Sequence, residues 1–567
     1  MSAKQKIALV IKTLGRHSDS IGYDCVAEYS SLSHRNDAQL DVCIFCDEIS
    51  GDAYDGICIR ETSKLSDWIG DVFDPVIIYH WRDGWTSFDD AFTRLPGRKI
   101  VRWHNNTPPW FFAPYSTLAA ANTVRGLVSI RRLIVGSDVE FWANSAYSAQ
   151  QLCALGAPTR RVHVVYPLSP LLPAQSGSAP MESEAPITHE FIRPANDSDA
   201  RAIRLLFVGR FVPHKGHRHL VATAALVQHL SGRRVELHCV GRADRAMQRY
   251  VDDVKALASC LNVDFTDHGE VSEAKLGHLY ANSDVFLFMS EHEGFGLPVV
   301  EAMRCGLPVV GVRATAVAEF LDQHPLAVDS TDHAALARAV IAAIQPHVRL
   351  AVVRWQRREV LAGYSSDVVD AQIRAGLTGN NSIAPLTRSA DAALHAMVAA
   401  TLATLPDGSN FPAASAAVLR EIPTDAPDRM MTLYDLEAYD TLLRTVEGAT
   451  GGHLYKAIWR TGFPTKRHVI SRAYQQIRRM ILSLNFGLVA SIDHAKQQTG
   501  AQLDRLSEDI AMLKQQNALI LERLRALPAE REPMVDPAPA RAAPMRGPAP
   551  LLQTVPNEAD QAASRIA

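Results

Sequence analysis

Short apolar runs alternate with longer stretches of helical periodicity over the first 167 residues. This alternation is typical of strands and helices that build a parallel, doubly wound sheet. A second series begins near residue 203 and fades near 376, after a segment rich in Pro, Ser, Ala and acidic residues. The predicted strands are Ile7–Ile11, Val42–Phe45, Val76–Tyr79, Ile100–Trp103, Phe141–Ala143 and Val162–Val165, then Ile203–Val208, Val235–Val240, Val263–Thr266, Val285–Met289 and Pro308–Val312.

These two series predict an α/β fold with two Rossmann-like domains, residues 1–170 and 203–376, joined by a linker or surface excursion at 171–202. A ligand cleft is expected between them, at the carboxyl ends of the strands. The remainder predicts a helical extension at 377–492, a coiled coil at 493–527 and a disordered Pro/Ala-rich tail at 528–567.

The coiled-coil prediction depends on a heptad pattern between residues 501 and 527. One Asn among the apolar a positions is the usual device that fixes register in a dimer, so we expect a homo-oligomer, with a dimer favoured. The alternative is a solitary amphipathic helix packed on its own domain. The a positions are Leu503, Ile510, Asn517 and Leu524, and the d positions are Leu506, Leu513, Ile520 and Leu527.

Charge is distributed unevenly along the chain. The 567 residues carry a formal charge of −3, from 58 Lys and Arg against 61 Asp and Glu, yet residues 448–492 contain seven basic residues and no acidic one. Apolar positions recur there at helical spacing. They predict a basic amphipathic helix that either lies on an anionic membrane surface or packs on its own domain. No recognition motif accompanies the charge, so no nucleic-acid partner is expected.

Membrane spans and metal sites are not expected from the sequence. No apolar run reaches 18 residues. The eight cysteines are scattered, and the single CxxC, Cys43 to Cys46, lies in a predicted strand without the second pair that a zinc site would require. Reduced thiols indicate the cytoplasm. We therefore expect a cytoplasmic protein, peripheral on the inner face of the cell membrane if the basic stretch binds lipid.

A first candidate for anion binding follows the strand that ends at Val208. The next residues, Gly209 and Arg210, open a loop that closes with Lys215 before a predicted helix. Backbone N–H groups and the helix dipole favour an anion there, and the two cations could clamp a diphosphate. The alternative is that both cations are simply solvated.

A second candidate follows the strand that ends at Met289. Gly294 and Gly296 predict a tight turn before a helix that starts near Leu297, with Glu293 in the turn and Glu301 one helical turn beyond. Two carboxylates at this spacing can accept hydrogen bonds from two hydroxyl-bearing parts of one ligand. The alternative is an ordinary turn carboxylate and a solvated helix residue.

The combination of Arg-x4-Lys-Gly after a strand, then Glu-Gly-Phe-Gly-Leu-Pro within Glu-x7-Glu, resembles the retaining glycosyltransferases of family 4, which have the GT-B fold. The resemblance covers roughly residues 5–376 and is most specific from 205 to 319. It implies a nucleoside-diphosphate sugar donor, no cofactor and no obligatory metal. Glu319 is expected to keep its place in a loop that otherwise departs from the Gly-rich family pattern.

The resemblance also implies roles for single residues. Arg210 and Lys215 would hold the diphosphate, Glu301 the ribose, and His104 would act near the reacting sugar. Glu293 would hold the transferred sugar with the backbone of Gly294 and Phe295. The remaining implied contacts with the donor are Gly22, taken as part of the first loop, Gly209, Val271 at the base, Gly296 and Leu297.

The function implied is transfer of a hexose, with retention, to a sugar hydroxyl of a surface polysaccharide or lipid-linked glycan. The alternatives are a noncatalytic nucleotide-sugar-binding assembly subunit and a GT-B epimerase. Four tryptophans near the expected cleft could stack on sugar faces, but the core is the better interpretation for each alone; they are Trp81, Trp85, Trp103 and Trp110.

Overall fold

The computed structural model describes residues 4–444, apart from 16–19, 34–39, 50–55, 73, 83–84, 169–200, 380–388, 423–429, 434 and 442–443. All described residues belong to one compact unit. The predicted basic stretch 448–492, coiled coil 493–527 and tail 528–567 lie outside the described residues, and so does most of the linker 171–202.

Two parallel sheets organise the described chain, and the apolar runs become strands that are buried on both faces, as parallel sheets require. The first sheet contains β1 (Gln5–Leu14), β2 (Leu40–Ile49), β3 (Ile59–Glu61), β4 (Val76–His80), β5 (Arg98–Trp103), β6 (Glu140–Ala143) and β7 (Val162–Val164). The second contains β8 (Ile203–Val208), β9 (Val235–Val240), β10 (Asp264–Asp267), β11 (Val285–Phe288), β12 (Val309–Val312) and β13 (Ala327–Val328).

Each sheet reverses its direction of winding once. The strand order is β3-β2-β1-β4-β5-β6-β7 in the first sheet and β10-β9-β8-β11-β12-β13 in the second. The prediction of two doubly wound α/β domains is confirmed. Two edge strands, β3 and β13, were not predicted, because three and two residues are too few to produce a recognisable apolar pattern.

Helices cover the faces of both sheets. In chain order they are α1 (Ser20–Ser33), α2 (Leu65–Ile69), α3 (Thr86–Phe92), α4 (Thr117–Gly136), α5 (Ala146–Ala154), α6 (His217–Ser231), α7 (Gln248–Cys260), α8 (Glu273–Asn282), α9 (Leu297–Arg304), α10 (Ala318–Leu321), α11 (His333–Ala343), α12 (Pro346–Trp355), α13 (Ser366–Thr378), α14 (Ala392–Ala403) and α15 (Ala413–Arg420). The last two lie within residues 377–492, the range of the predicted helical extension.

Helix α13 follows the second sheet in sequence but contacts the first domain. Arg98 Nη2 donates to the Gly376 carbonyl at 2.6 Å, and the Tyr166 N–H donates to Gln372 Oε1 at 2.8 Å. The extension also reaches the first domain, where the buried Gln151 amide makes paired hydrogen bonds of 2.6 and 3.0 Å with the Met431 backbone. Both elements therefore tie the end of the described chain to its beginning.

Among the described residues, no single helix is long and apolar enough to cross a membrane. One pair, His333–Ala343 with Pro346–Thr378, meets the length and composition criteria only jointly and is bent by 97° at the break. Cys43 and Cys46 are buried on opposite faces of β2, and Cys43 Sγ lies 2.8 Å from Cys58 Sγ.

Candidate functional site

The two candidate loops meet at the point where the second sheet reverses its winding. Strands β8 and β11 are neighbours in that sheet but are far apart in sequence. In open parallel sheets the ligand crevice forms outside the carboxyl ends of such a strand pair. The loop after β8 brings Lys215, and the loop after β11 brings Glu293, to the same crevice.

Lys215 and Glu293 form an ion pair at this crevice. Lys215 Nζ lies 2.6 Å from Glu293 Oε1, and the two side chains expose only 15% and 10% of their surface. The Glu293 N–H donates to Thr315 Oγ1 at 3.0 Å, which fixes the loop from a third side. Because an ammonium group has three donors, Lys215 can hold Glu293 and still donate to an anionic ligand.

Arg210 occupies a different environment in the same loop. Its side chain is 54% exposed, and Nη1 lies 3.8 Å from Asp244 Oδ2. Gly209 continues the sheet edge, because its N–H donates to the Val240 carbonyl at 2.8 Å. The structure thus places one cation half inside the crevice and one at its rim.

The turn after Glu293 leads directly into α9, as predicted. Gly296 caps that helix with φ +97°, and a Cβ at this position would lie 2.7 Å from Val317 Cγ2, so glycine is required on both counts. Leu297 begins the helix. Phe295 is buried against Phe320 and Tyr364, with ring centroids 4.8 and 5.2 Å away.

Glu301 lies in α9 and is 9% exposed. Its Oε2 accepts a hydrogen bond of 3.1 Å from the Tyr280 hydroxyl. Across the cleft, Tyr23 in α1 lies close enough that burial, Glu273 and Glu301 together raise the pKa of its phenol to about 12.

Of two further predicted donor contacts, Val271 lies in a loop, as expected, and Gly22 does not. Val271 follows β10 and is half-buried, in a loop before α8. Gly22 does not lie in a loop: it is the third residue of α1 and is buried. The interpretation of Gly22 as part of the first loop is wrong, because the helix begins at Ser20.

His104 lies in the loop after β5, on the first-domain side of the cleft. Its side chain is 9% exposed, and Nε2 lies 3.7 Å from Asp24 Oδ2. The His80 ring stacks beside it, with centroids 5.7 Å apart. Burial, then Arg102, then His80, hold the pKa of His104 well below its usual range, so its imidazole is neutral near pH 7.

A buried ionic network lies behind His104, and it forms where the first sheet reverses its winding. Arg102 Nε lies 2.9 Å from Asp24 Oδ2 and 3.5 Å from Glu28 Oε1, and His80 Nε2 lies 2.8 Å from Glu28 Oε2. All four side chains are essentially inaccessible to solvent. Two carboxylates, one guanidinium and one imidazolium have no net charge together.

His80 is the cation that completes this balance. Burial lowers its pKa, but Cys25 and Glu28 oppose burial, and the pKa rises to about 10. Burial also raises the pKa of the Cys25 thiol, which lies against the same imidazole. Asp24, His80 and His104 each place one ligand atom within 4.8 Å of the others, yet Asp24 is already bound by Arg102 and His80 by Glu28.

The two halves of the site meet at Gly294. A Cβ at this position would lie 2.5 Å from the His104 carbonyl oxygen and 2.9 Å from Asn105 Cβ, so only glycine allows this approach. The Gly294 carbonyl accepts hydrogen bonds from Ser145 Oγ at 2.7 Å and Ser148 Oγ at 3.0 Å. The donor-side loop is therefore seated directly on the first domain.

Aromatic rings from both domains line the same boundary. His214 and His292 belong to the second domain, and their rings lie about 6 Å from Phe111 in the first. Burial, then Lys215, lower the pKa of His292 to about 3, so it is neutral. The four tryptophans Trp81, Trp85, Trp103 and Trp110 are each at most 7% exposed, which confirms the core interpretation.

Sequence reasoning missed the network behind His104 and some of the residues around the donor-side loop. Asp24 and Glu28 are one helical turn apart on α1, and His80 pairs in register with Arg102 on adjacent strands. An i, i+4 acidic pair after the first strand, with basic residues ending two apolar strands, was the available signal. Ser148 and Thr315 gave none, because small hydroxyl residues are common in loops.

Comparison with known proteins finds similarity mainly in the second domain. Residues 202–346 match the family model described as "Glycosyl transferases group 1". The O-antigen chain mannosyltransferase B of Escherichia coli is 38% identical over 77 residues, 14% of this chain and 20% of that protein. A D-inositol 3-phosphate glycosyltransferase of Catenulispora acidiphila is 30% identical over 247 residues, 40% of this chain and 54% of that protein. The chain thus matches between a fifth and about half of the length of these relatives.

Solved structures of low sequence identity resemble the chain over a longer range. WaaG, a glycosyltransferase involved in lipopolysaccharide biosynthesis, is 15% identical with a TM-score of 0.47, covering 66% of this chain and all of that one. HepE from Anabaena, in complex with UDP-glucose, is 17% identical with a TM-score of 0.47, covering 66% of this chain and 99% of that one.

The family match includes the complete Arg-x4-Lys-Gly and Glu-x7-Glu segments, which the structure brings together in one crevice. This match confirms the resemblance to a glycosyltransferase family that was inferred from those two segments. Residues 202–346 of this chain are thus similar to the glycosyl transferases group 1 family.

Proposed function

We propose that this chain is a retaining glycosyltransferase that moves a hexose from a nucleoside-diphosphate sugar to a sugar hydroxyl of a surface polysaccharide or lipid-linked glycan. The observation that carries the proposal is the Lys215–Glu293 pair, held at 2.6 Å in the reversal crevice of a glycosyl transferases group 1 domain. The similarity to an O-antigen chain mannosyltransferase supports the class of acceptor, and the similarity to a D-inositol 3-phosphate glycosyltransferase supports glycosyl transfer.

The diphosphate fits the cationic loop after β8. Arg210 at the rim meets the anion first because it is half-exposed, and Lys215 holds it deeper in the crevice. Two cations on the diphosphate stabilise the charge that develops as the bond from the sugar C1 to the phosphate oxygen breaks. Glu301, buried beside Tyr280, accepts hydrogen bonds from the ribose.

The sugar lies between the two domains. Glu293 and the backbone of Gly294 and Phe295 hold its hydroxyls, and neutral His104 faces it from the first domain. A neutral imidazole can accept a hydrogen bond from one hydroxyl and donate to another, which an imidazolium cannot do. The acceptor oxygen bonds to C1 on the face that the diphosphate leaves, and its proton passes to the departing phosphate oxygen.

The test is a panel of nucleotide sugars incubated with the purified full chain, with binding and hydrolysis measured for each. We expect one or a few sugars to bind below millimolar concentration and to be consumed faster when a glycan acceptor is added. If no nucleotide sugar bound at millimolar concentration, the proposal would fail. Consumption without dependence on acceptor, with an isomeric nucleotide sugar as product, would instead indicate an epimerase.

A matched control separates the crevice from the domain that contains it. Arg204 and Glu236 form another cation–carboxylate pair in the second sheet, at 3.1 Å, but at the amino ends of β8 and β9. Arg204→Ala should leave donor binding unchanged, whereas Lys215→Ala should abolish it.

The roles of residues 448–492 at a membrane and of residues 501–527 in oligomerisation stay predictions. Vesicle flotation tests the first, and deletion of residues 501–527 tests the second.

A further inference from the structure

The first turn of α5 begins at the cleft with an incomplete set of hydrogen-bond acceptors. Each helix leaves its first N–H groups without partners inside the helix. Ser145 caps α5 in the usual way, since its Oγ accepts from the Ser148 N–H at 3.0 Å. Its first turn carries no acidic side chain. The N–H groups of Ala146 and Tyr147 therefore depend on an acceptor from elsewhere.

That acceptor comes from the other domain. Glu319 lies in α10, between β12 and β13 of the second sheet, and its Oε1 accepts from the Ala146 N–H at 2.6 Å and from the Tyr147 N–H at 3.3 Å. Its Oε2 accepts from the Tyr166 hydroxyl at 3.3 Å. A carboxylate at a helix N-terminus is stabilised both by these N–H groups and by the helix dipole.

The same turn of α5 binds the donor-side loop. Ser145 and Ser148 are fully buried and both donate to the Gly294 carbonyl, one residue after Glu293. Asn144, immediately before the cap, donates through Nδ2 to the His104 carbonyl at 3.2 Å. Residues 144–148, which we call the α5 turn, thus contact the sugar-side loop of the second domain and the His104 loop of the first.

We propose that Glu319 and the α5 turn form an interdomain latch that positions the Glu293–Gly296 loop against His104 and sets the affinity for the donor. The inference rests on the proposed function and assigns Glu319 a positioning role, since it acts through the α5 turn and not on the reacting atoms.

The latch is expected to be reversible because water can replace each of its hydrogen bonds when the domains separate. When the domains separate, the Glu319 carboxylate and the two N–H groups of α5 become hydrated, so the net gain on closure is far smaller than the gross hydrogen-bond energy. A modest gain shifts the population between open and closed forms without locking it. Donor binding completes the closure, so weakening the latch should lower donor affinity more than turnover at saturation.

The experiment compares Glu319→Ala and Glu319→Gln with Asp322→Asn in steady-state kinetics against donor concentration. Asp322 is the carboxylate immediately after α10, and it accepts a hydrogen bond from Gln323 of its own domain, so it controls for loss of charge in this region. We expect Glu319→Ala to raise the donor KM about tenfold, with kcat within about twofold of wild type. Glu319→Gln, which keeps one oxygen acceptor, should raise KM by less, and Asp322→Asn should leave it unchanged.

Two further measurements distinguish a latch from general destabilisation. Ser148→Ala removes a hydroxyl that binds Gly294 but leaves the Ser148 N–H that completes the cap, and it should also raise KM at constant kcat. Hydrogen exchange at the Ala146 and Tyr147 amides should accelerate in Glu319→Ala and slow again when donor is added. Far-UV circular dichroism should match wild type.

Unchanged KM in both Glu319→Ala and Ser148→Ala, or a loss confined to kcat, would overturn the latch. If wild type itself binds no nucleotide sugar, the proposed function fails. The hydrogen-exchange comparison then still reports whether Glu319 protects the two amides.

Discussion

The first-domain and second-domain halves of the site are built on opposite electrostatic principles. Behind His104, charges of both signs are buried and cancel, and the His80 imidazole is held as a cation with a pKa of about 10. In the second half, His217 and His292 are buried as neutral rings, and burial, then Lys215, lower the pKa of each to about 3. Arg210 stands half-exposed at the rim.

This difference indicates which half is complete without a ligand. In the first-domain network, the two carboxylates are each paired with a cation of the same network. The second half has an exposed cation and a half-buried one beside neutral histidines, an arrangement that favours an incoming anion. The first half is therefore a preorganised wall, and the second half is the part that receives the charge of the donor.

The largest expected effect is the loss of glycosyl transfer when the ion pair of the second half is broken. Lys215→Ala and Glu293→Gln should each reduce transfer by about a thousandfold or more, because both groups act on the reacting donor. The double variant should lose little beyond either single one, since the pair acts as a unit. Initial rates with saturating acceptor, with circular dichroism as a check of folding, measure this; normal turnover in either would contradict the site assignment.

The next largest effect is expected on the free energy of unfolding when the buried network of the first half is broken. Arg102→Leu leaves Asp24 buried without its arginine and Glu28 with His80 as its remaining cation, which should lower the free energy of unfolding by about 3–5 kcal/mol. Chemical denaturation measures it. Arg234→Gln, at an arginine that is 65% exposed, is the control and should leave the stability unchanged. If both variants changed the free energy of unfolding by a similar small amount, the charges of the network would be accessible to water.

A smaller effect is expected where the halves touch. Gly294→Ala places a methyl group 2.5 Å from the His104 carbonyl, so the domains must separate slightly. We expect kcat/KM to fall about tenfold, from overpacking of about 1–3 kcal/mol. Gly136→Ala, where a Cβ would meet nothing within 4 Å, is the matched control. Equal activity in both variants would show that the Gly294 contact is not required during turnover.

The smallest expected effect is on the pH dependence of stability. The histidines of the second half should destabilise the fold at low pH, and His80 of the first half should do so at high pH. His217 and His292 bind protons in the unfolded chain below about pH 6.5 but in the folded chain only near 3. Stability should therefore fall as pH decreases through that window. His80 has a raised pKa, so its contribution is present below about 6.5 and is lost as pH rises towards 10.

Denaturation across a pH series checks these slopes. His292→Gln should flatten the acid limb alone, and His80→Gln the alkaline limb alone. If His80→Gln left the alkaline limb unchanged, the imidazolium of the first half would not exist.

The two domains were predictable from the sequence because buried parallel strands are continuous apolar runs. Val235–Val240 was predicted with the bounds that the structure shows, and Ile203–Val208 likewise. The Lys215 and Glu293 segments were also found, because each follows such a strand directly. Gly22 was misplaced, since the sequence gives no clear signal for the start of α1 at Ser20.

The latch could not be predicted from the sequence. Glu319 and Ala146 are 173 residues apart, and nothing local in either segment requires the other. The same holds for Asp24 and Arg102, which are brought together only because β1 and β5 flank β4.

By itself, the sequence determined the elements and the local chemistry: strands from apolar runs, tight turns from glycines, and an anion-binding loop and a carboxylate pair from short motifs. These depend on interactions within a few residues of the chain. Only the tertiary structure decided which charges are buried together and how the halves are joined. Burial and partner distance set whether His80 is charged and His104 neutral, and both quantities arise when β4, β5 and α1 pack and the second domain closes on α5.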